Sequence, residues 1–189
     1  MNLSTRSLFG GAISISLPSN FLDTSDFRQV PDNQEAFVDS NNEDSIIIEL
    51  LEMVNSSDLE ALRVHFEDLA ETNEAIEHSI NVENELPKLA QIRNLKTFYG
   101  FSCNHSVCYA IGTQKVSKYN YTQAKDYKNI HIYMVLIRLF DQKTDMLITM
   151  NYPQDPTLSS VKSESHQPPE ILLNTIVSTL NVHNWNLFC

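Results

Sequence analysis

Two pairs of residues have the types and spacing that acid–base or metal chemistry would use. Asp32 and Glu35 are three residues apart and could serve as a general acid and a general base. His65 and Asp68 have the same spacing, which on a helix would place both on one face, as a metal site could use. Neither pair has a nucleophile pattern or a second cluster of ligands near it. An enzyme is the rival interpretation of these two pairs. Because these supporting patterns are missing, we predict no catalytic residue, cofactor or metal.

The sequence lacks the motifs that hold nucleotide phosphates. It contains neither a Gly-x4-Gly-Lys-Ser/Thr loop nor a GxGxxG pattern, whose backbone amides cradle phosphate groups. We therefore predict that the protein does not bind or hydrolyse GTP itself. Cys103, Cys108 and Cys189 are an odd number at no metal-ligand spacing, which favours free thiols in a reducing cytosol or nucleus.

Acidic residues are concentrated in one part of the chain, residues 23–74, which we call the acidic window. It holds 15 of the 24 carboxylates and only Arg28 and Arg63 oppose them, so its net charge is −13, whereas the rest of the chain sums to about +2. A field of one sign steers a basic partner and repels nucleic acid and anionic membranes. The alternative interpretation, in which these residues bind no partner, is a solvated surface that keeps the protein soluble.

Length and hydropathy indicate one domain, residues 1–189. The chain has 189 residues and 42% hydrophobic content, enough for a single core and too little for two large domains. The longest apolar run, residues 132–140, is broken by Arg138 and falls short of the ~20 residues of a spanning helix. Without an apolar leader segment either, we expect no membrane partner, and we expect a monomer.

The elements that must position these residues are mostly strands. Alternating or β-branched apolar residues predict seven strands, at residues 12–17, 33–39, 46–52, 98–103, 107–116, 130–140 and 146–152. The runs at 98–103 and 107–116 predict one hairpin, and the last two runs predict another. Between these elements, residues 72–96 are polar and predict a loop with an irregular helix that ends at Pro87.

Two helices stand at separate places in the chain. Ser57 and Glu60 fit a capping box, and leucine and phenylalanine at spacings of three and four then predict an amphipathic helix to about residue 71. Pro169 predicts the start of the second helix, which ends near residue 180. Strands in hairpins with two separated helices predict an α+β fold, in which helices cover a mainly antiparallel six- or seven-stranded sheet.

Three segments resemble a known family. The run LFGGAISISLPSNFLDTSDFRQVPDNQEAFVD at residues 8–39 is similar to the opening of the Ran guanine nucleotide release factors, the Mog family of nuclear import proteins. Later parts of that family resemble two further segments of this chain. One is DSIIIELLEMV at residues 44–54 with ALRVHFEDLAETN at 61–73, and the other is LIRLFDQKTDMLITMNYP at 136–153. The resemblance implies an α/β/α sandwich of the PsbP-like type, binding to the small GTPase Ran, release of its guanine nucleotide, and nuclear import in nucleus and cytoplasm.

The resemblance also implies which residues contact the partner, and all nine of them lie in the acidic window. In chain order they are Asp23, Arg28, Asp32, Gln34, Glu35, Asp39, Glu49, Glu67 and Asp68. Exposed ion pairs contribute only ~0–1 kcal/mol each, so affinity requires apolar anchors as well. We predict that Phe21 and Phe37 are core residues, which leaves Phe27 as a contact.

Two alternatives remain open at the level of sequence. Arg28 could organise an internal salt bridge instead of contacting a partner. An acidic adaptor that binds Ran or another basic partner without altering nucleotide exchange would have the same composition and the same distribution of charge.

Overall fold

The computed structural model describes residues 2–81, 104–117, 127–154 and 168–188. Residues 98–103 and the end of the segment 72–96 lie outside this range, and so do the predictions made for them. The described elements are β1 (Leu3–Leu8), β2 (Ile13–Pro18), β3 (Phe21–Asp23), β4 (Gln34–Asp39), β5 (Ser45–Glu52), α1 (Asp58–Thr72), β6 (Glu77–Asn81), β7 (His105–Ser117), β8 (Tyr127–Leu139), β9 (Thr144–Gln154), α2 (Pro169–Ser178) and β10 (Asn181–Val182).

Seven of these strands form one antiparallel sheet in the order β3-β4-β5-β9-β8-β7-β6. Its centre is built on β5, β8 and β9, whose apolar residues recur at nearly every position because the sheet is covered on both faces. The short strand β3 forms one edge and pairs only with the second half of β4, from Phe37 to Asp39. The first half of β4 therefore lies beyond the end of β3 at this edge.

A second, smaller sheet has the order β1-β2-β10. The turn between β1 and β2 holds Phe9, Gly10 and Gly11 at φ values of 49°, 65° and 89°. Glycine adopts such left-handed conformations without a Cβ clash, which explains the Gly-Gly pair, whereas a phenylalanine there is uncommon.

The core has two layers, one on each face of the main sheet. Helix α2 and the small sheet pack on one face, around residues such as Ile15, Phe37 and Ile176. Helix α1 packs on the other face through Leu62 and Phe66. The predicted α/β/α sandwich is therefore confirmed. Neither helix of the described segments has the length and apolar character that crossing a membrane requires.

Several local predictions are confirmed and several are wrong. The strands β2, β4, β5, β7, β8 and β9 and both helices occur where predicted to within a few residues, but β1, β3, β6 and β10 were missed. Ser57 is the residue before α1, yet its hydroxyl makes no capping hydrogen bond, so the capping box is not formed. His105 and Ser106 lie between the runs 98–103 and 107–116, where the predicted hairpin requires its loop, but they begin β7, which pairs with β6 and β8. Tertiary pairing thus extended a strand that local propensity had ended.

Candidate functional site

A cleft of about 410 Å³ lies at the edge of the main sheet, where β4 extends beyond β3. We call it the acidic cleft. It is formed by the first half of β4, the 3-10 turn after β3, the β1–β2 turn and the C-terminal segment. Its lining residues are Phe9, Gly10, Asp23, Ser25, Val30, Pro31, Asp32, Gln34, Glu35, Ala36 and Leu187. Four of the residues proposed from sequence, Asp23, Asp32, Gln34 and Glu35, thus meet in one place.

Asp23 and Asp32 present carboxylate oxygens to this cleft in different ways. One oxygen of Asp23 accepts hydrogen bonds from the backbone N–H and the hydroxyl of Ser25, at 2.8 and 2.7 Å. These bonds fix the carboxylate at the start of the 3-10 turn Thr24–Asp26. Asp32 is exposed and makes no hydrogen bond or ion pair with the residues that the structure describes. A cationic partner can therefore reach a full carboxylate at Asp32 and the second oxygen of Asp23.

Glu35 is half-buried and is held by the backbone of the β1–β2 turn. Its carboxylate accepts a hydrogen bond from the N–H of Phe9, one of the residues in the left-handed conformation. Burial raises the pKa of the Glu35 carboxyl, the Phe9 N–H partly opposes this rise, and the negative charge of Asp23 adds to it. The carboxylate is therefore desolvated and oriented before any partner arrives, and a cationic group that approached it would be attracted more strongly than at an exposed site.

Gln34 and Glu49 are neighbours across β4 and β5. They are paired in register, and the Gln34 amide donates to the Glu49 carboxylate at 2.7 Å. Glu49 thus belongs to the same end of the sheet as the acidic cleft. Arg28 is exposed in the segment after the 3-10 turn, and its side chain forms no ion pair with any described residue. The alternative in which Arg28 organises an internal salt bridge finds no support among the described residues.

Asp39 differs from the other candidates because the fold encloses it. Its side chain is only 7% exposed. One oxygen accepts from the amide of Asn20 at 2.7 Å, and the other accepts from the backbone N–H of Asn41 at 2.8 Å. This carboxylate stabilises the turn between β4 and β5, so we do not include Asp39 in the contact surface that we propose below.

Glu67 and Asp68 are exposed on α1 and lie far from the acidic cleft. A carboxylate oxygen of Glu67 lies 2.6 Å from Nε2 of His78 in β6. Strand β6 forms the edge of the sheet opposite β3. Five strand spacings of about 4.8 Å separate β4 from β6, which is about 24 Å. The acidic window of the sequence is thus divided in the fold into two separate surfaces.

The enzyme interpretation rested partly on His65 and Asp68, and the structure places these side chains in different surroundings, since Asp68 is exposed. His65 is buried and its Nε2 lies 2.9 Å from a carboxylate oxygen of Asp145. The other oxygen of Asp145 accepts from Arg138 Nε at 3.0 Å. Within the described segments, no group of three or more His, Cys, Asp or Glu side chains is arranged to hold a metal ion.

This buried network fixes the start of α1 on the sheet. Arg138 also donates to the backbone carbonyls of Ser56 and Val54 and to the carboxylate of Asp58. Burial alone would raise the pKa of Asp145, but hydrogen bonds from His65, the Val54 N–H and Arg138 together hold it below its usual value. No local pattern indicates this network, because His65 and the start of α1 are about 80 residues from Arg138 and Asp145 in the chain.

The lining residues outside the acidic window were also missed. Phe9 and Gly10 come from the β1–β2 turn, and Leu187 comes from the 3-10 helix Trp185–Phe188 at the other end of the chain. The Gly-Gly pair signals a turn, but nothing in the sequence indicates that this turn packs beside β4. No feature of the sequence indicates that Leu187 lines this cleft.

Comparison with known proteins gives this cleft a family context. A family model described as Ran-interacting Mog1 protein matches residues 6–153. The chain belongs to the Mog1 family. A Ran guanine nucleotide release factor of Danio rerio is 42% identical over 153 residues, covering 79% of this chain and 78% of that protein. One of Homo sapiens is 34% identical over 185 residues, covering 96% and 94%.

A solved Mog1 structure has the same architecture. The crystal structure of the Saccharomyces cerevisiae Ran-binding protein Mog1p superposes with a TM-score of 0.69 at 28% identity, over the full length of both chains. The matched segment of the Mog1 family model contains every lining residue of the acidic cleft except Leu187. Most of the cleft is therefore built from the part of the chain that the family model describes.

Proposed function

We propose that the protein binds the small GTPase Ran and promotes release of its guanine nucleotide through the acidic cleft, in support of nuclear protein import. The observation that carries this proposal is the meeting of Asp23, Asp32 and Glu35 around one cleft, with carboxylate oxygens open to a partner. Membership of the Ran-interacting Mog1 family and the names of its relatives support the choice of Ran as partner. The protein would act in the nucleus and the cytoplasm.

The charge of the cleft acts first on encounter. A concave site lined by carboxylates raises the local concentration of a basic partner and can increase association rates ~10- to 1,000-fold. Desolvation of Glu35 strengthens this attraction at short range, because charges interact more strongly where water is excluded. Steering alone does not release nucleotide, however, since it favours every state of Ran that presents the same basic groups.

Release requires a difference in affinity between two states of Ran. A factor accelerates nucleotide loss only if it binds the opened G protein more tightly than the closed one, and a ~1,000-fold acceleration requires about 4 kcal/mol. Carboxylates fixed in the cleft are suited to supply this difference. They would accept a lysine or arginine that otherwise holds the nucleotide or its switch loops, or compete for the surroundings of the bound Mg²⁺. No covalent step is needed.

The proposal is tested by release of a fluorescent GTP analogue from Ran in a stopped-flow instrument. Asp32→Lys reverses one accessible charge of the cleft without breaking an internal bond of the described structure, and we expect it to reduce the acceleration at least ~10-fold. Glu71→Lys is the matched control, because it makes the same change in net charge on the exposed far side of α1. An equal effect of both variants, or no effect of Asp32→Lys, would refute the proposal.

Ionic strength provides a second arm of this experiment. Raising salt from 0.1 M to 1 M shortens the Debye length from ~10 Å to ~3 Å. Acceleration by the parent protein should fall as salt rises, and Asp32→Lys should show a weaker salt dependence than either the parent or Glu71→Lys.

An adaptor that binds Ran without altering exchange is the second candidate, because the acidic cleft alone would also suit that role. Binding to GTP-loaded, GDP-loaded and empty Ran separates the two functions. A release factor prefers the empty form, whereas an adaptor binds all three with equal affinity and leaves the release rate unchanged.

A further inference from the structure

One large apolar side chain that the fold leaves exposed to water is carried by the same segment that lines part of the acidic cleft. Among the described residues, the large hydrophobic side chains that remain exposed are Leu22, Phe27, Ile76 and Tyr127, and Phe27 is the most exposed at 70%. Ser25 and Val30, on either side of Phe27 in sequence, both line the cleft. Phe27 therefore belongs to the segment that joins two lining residues of the cleft, without lining the cleft itself.

The backbone holds Phe27 in this position. The carbonyl of Thr24 accepts hydrogen bonds from the N–H groups of Phe27 and Arg28, both at 3.0 Å. Asp23 caps the same turn through Ser25, and the turn packs against β4. An aromatic ring carried on a fixed turn loses little conformational freedom on binding, so more of its burial appears as affinity.

The chemistry around Phe27 indicates what kind of surface it fits. Asp26 and Arg28 flank it in sequence, and Asp23 and Asp32, four residues before it and five after it, line the cleft. Exposed ion pairs add little net affinity, whereas a few buried aromatic residues surrounded by polar groups carry most of the binding energy of an interface. The complementary surface is an apolar pocket rimmed by lysine or arginine side chains.

We propose that Phe27 is the apolar anchor by which this protein holds its cationic G-protein partner, with the carboxylates of the cleft setting encounter rate and nucleotide release. This inference rests on the proposed function, because it assigns the partner of the same site. It divides the roles between two groups of residues: Phe27 slows dissociation, while Asp32 and its neighbours accelerate association and act on the nucleotide.

The test measures association and dissociation rates of the complex with nucleotide-free Ran by surface plasmon resonance at several salt concentrations. We expect Phe27→Ala to raise Kd about 10- to 30-fold, chiefly through faster dissociation, with an unchanged dependence of Kd on salt. Phe27→Leu should have an intermediate effect. Ile76→Ala is the matched control, since Ile76 is 51% exposed. Its backbone N–H donates to the carbonyl of Lys115 in β7, toward the edge of the sheet opposite the acidic cleft. The Kd of Ile76→Ala should stay within about twofold of the parental value.

The outcomes separate this inference from the function on which it rests. If the parent binds empty Ran and releases its nucleotide but Phe27→Ala binds within twofold of the parent, the anchor is refuted and the proposed function stands. A slower association with a steeper or weaker salt dependence in Phe27→Ala would also refute the anchor, because it would indicate an electrostatic role. If the parent does not bind Ran at all, both proposals are overturned. Thermal unfolding of Phe27→Ala checks that the variant is folded.

Discussion

The packing of α1 on the sheet depends on a glycine, and replacing it should destabilise the protein strongly. Gly112 lies on β7 under the ring of Phe66, which is fully buried. A Cβ at this position would lie 2.3 Å from Phe66 Cε2 and 2.4 Å from Cζ, and 2.9 Å from the backbone oxygen of Ser79. Carbon atoms in ordinary contact are ~3.5–4.0 Å apart, so Gly112→Ala forces the ring to move by more than 1 Å.

The size of the effect follows from where that ring could go. The ring is enclosed by the core under α1, and Ser79 belongs to a paired strand, so neither neighbour can withdraw easily. Overpacking a well-filled core costs about 1–3 kcal/mol, occasionally more. We expect Gly112→Ala to lower the free energy of unfolding by about 3 kcal/mol, which for a chain of this length lowers the melting temperature by about 6–12 °C.

A double-mutant cycle with Phe66→Leu isolates the clash. Phe66→Leu alone leaves a cavity and costs less than the ~3–5 kcal/mol of full truncation. In the double variant the new methyl group occupies part of that cavity, so the combined loss should be smaller than the sum of the single losses by at least about 1 kcal/mol. Urea denaturation followed by far-ultraviolet circular dichroism measures all four proteins.

Two results would contradict this reasoning. One is a Gly112→Ala variant that unfolds within about 0.5 kcal/mol of the parent, and the other is strict additivity in the double variant. Nucleotide release provides a functional control. Because the contact with Phe66 lies toward the opposite edge of the sheet from the acidic cleft, folded Gly112→Ala should release nucleotide from Ran at the parental rate.

Two further predictions concern carboxylates whose pKa values the fold displaces in opposite directions. The raised pKa of Glu35 means that its contribution to stability is present below the unfolded value of about 4.3 and is lost as pH rises through the folded pKa. At pH 7, Glu35→Gln should therefore melt at the same or a higher temperature than the parent while accelerating nucleotide release less, and a lower melting temperature would contradict this. The depressed pKa of Asp145 stabilises the fold above about pH 4, and this contribution is lost as pH falls through the folded pKa. Asp145→Asn removes the buried counter-charge of Arg138 and leaves it only the partly exposed carboxylate of Asp58, at 3.1 Å. It should lower stability at pH 7 by about 3 kcal/mol and reduce the pH dependence of urea denaturation below pH 4, whereas a variant as stable as the parent would show that the pair contributes nothing.

Local patterns in the sequence were sufficient for most of the main sheet. The β-branched run in β5 and the long apolar runs in β8 and β9 predicted their strands because period and propensity agree there with burial. Strands such as β3 and β10, of three and two residues, carry too few side chains for any period to be visible. They exist because neighbouring strands offer unpaired backbone groups.

The acidic cleft was predictable only in part. Asp23, Asp32 and Glu35 could be named from the sequence because they are close along the chain and lie in a segment that resembles the Mog family. The separation of Glu67 and Asp68 from them could not, since all five belong to one continuous acidic window. Sequence distance does not report which edge of a sheet an element reaches.

By itself, the sequence determined the composition of the acidic surface, the strands with strong periodicity and the two helices, because these depend on residues near one another in the chain. The tertiary structure alone decided that Glu35 is held by Phe9, that Leu187 completes the cleft and that His65 pairs with Asp145 rather than Asp68. Each of these contacts joins residues between 26 and about 180 positions apart. Such contacts arise when hydrophobic burial packs whole elements together, and no local pattern encodes them.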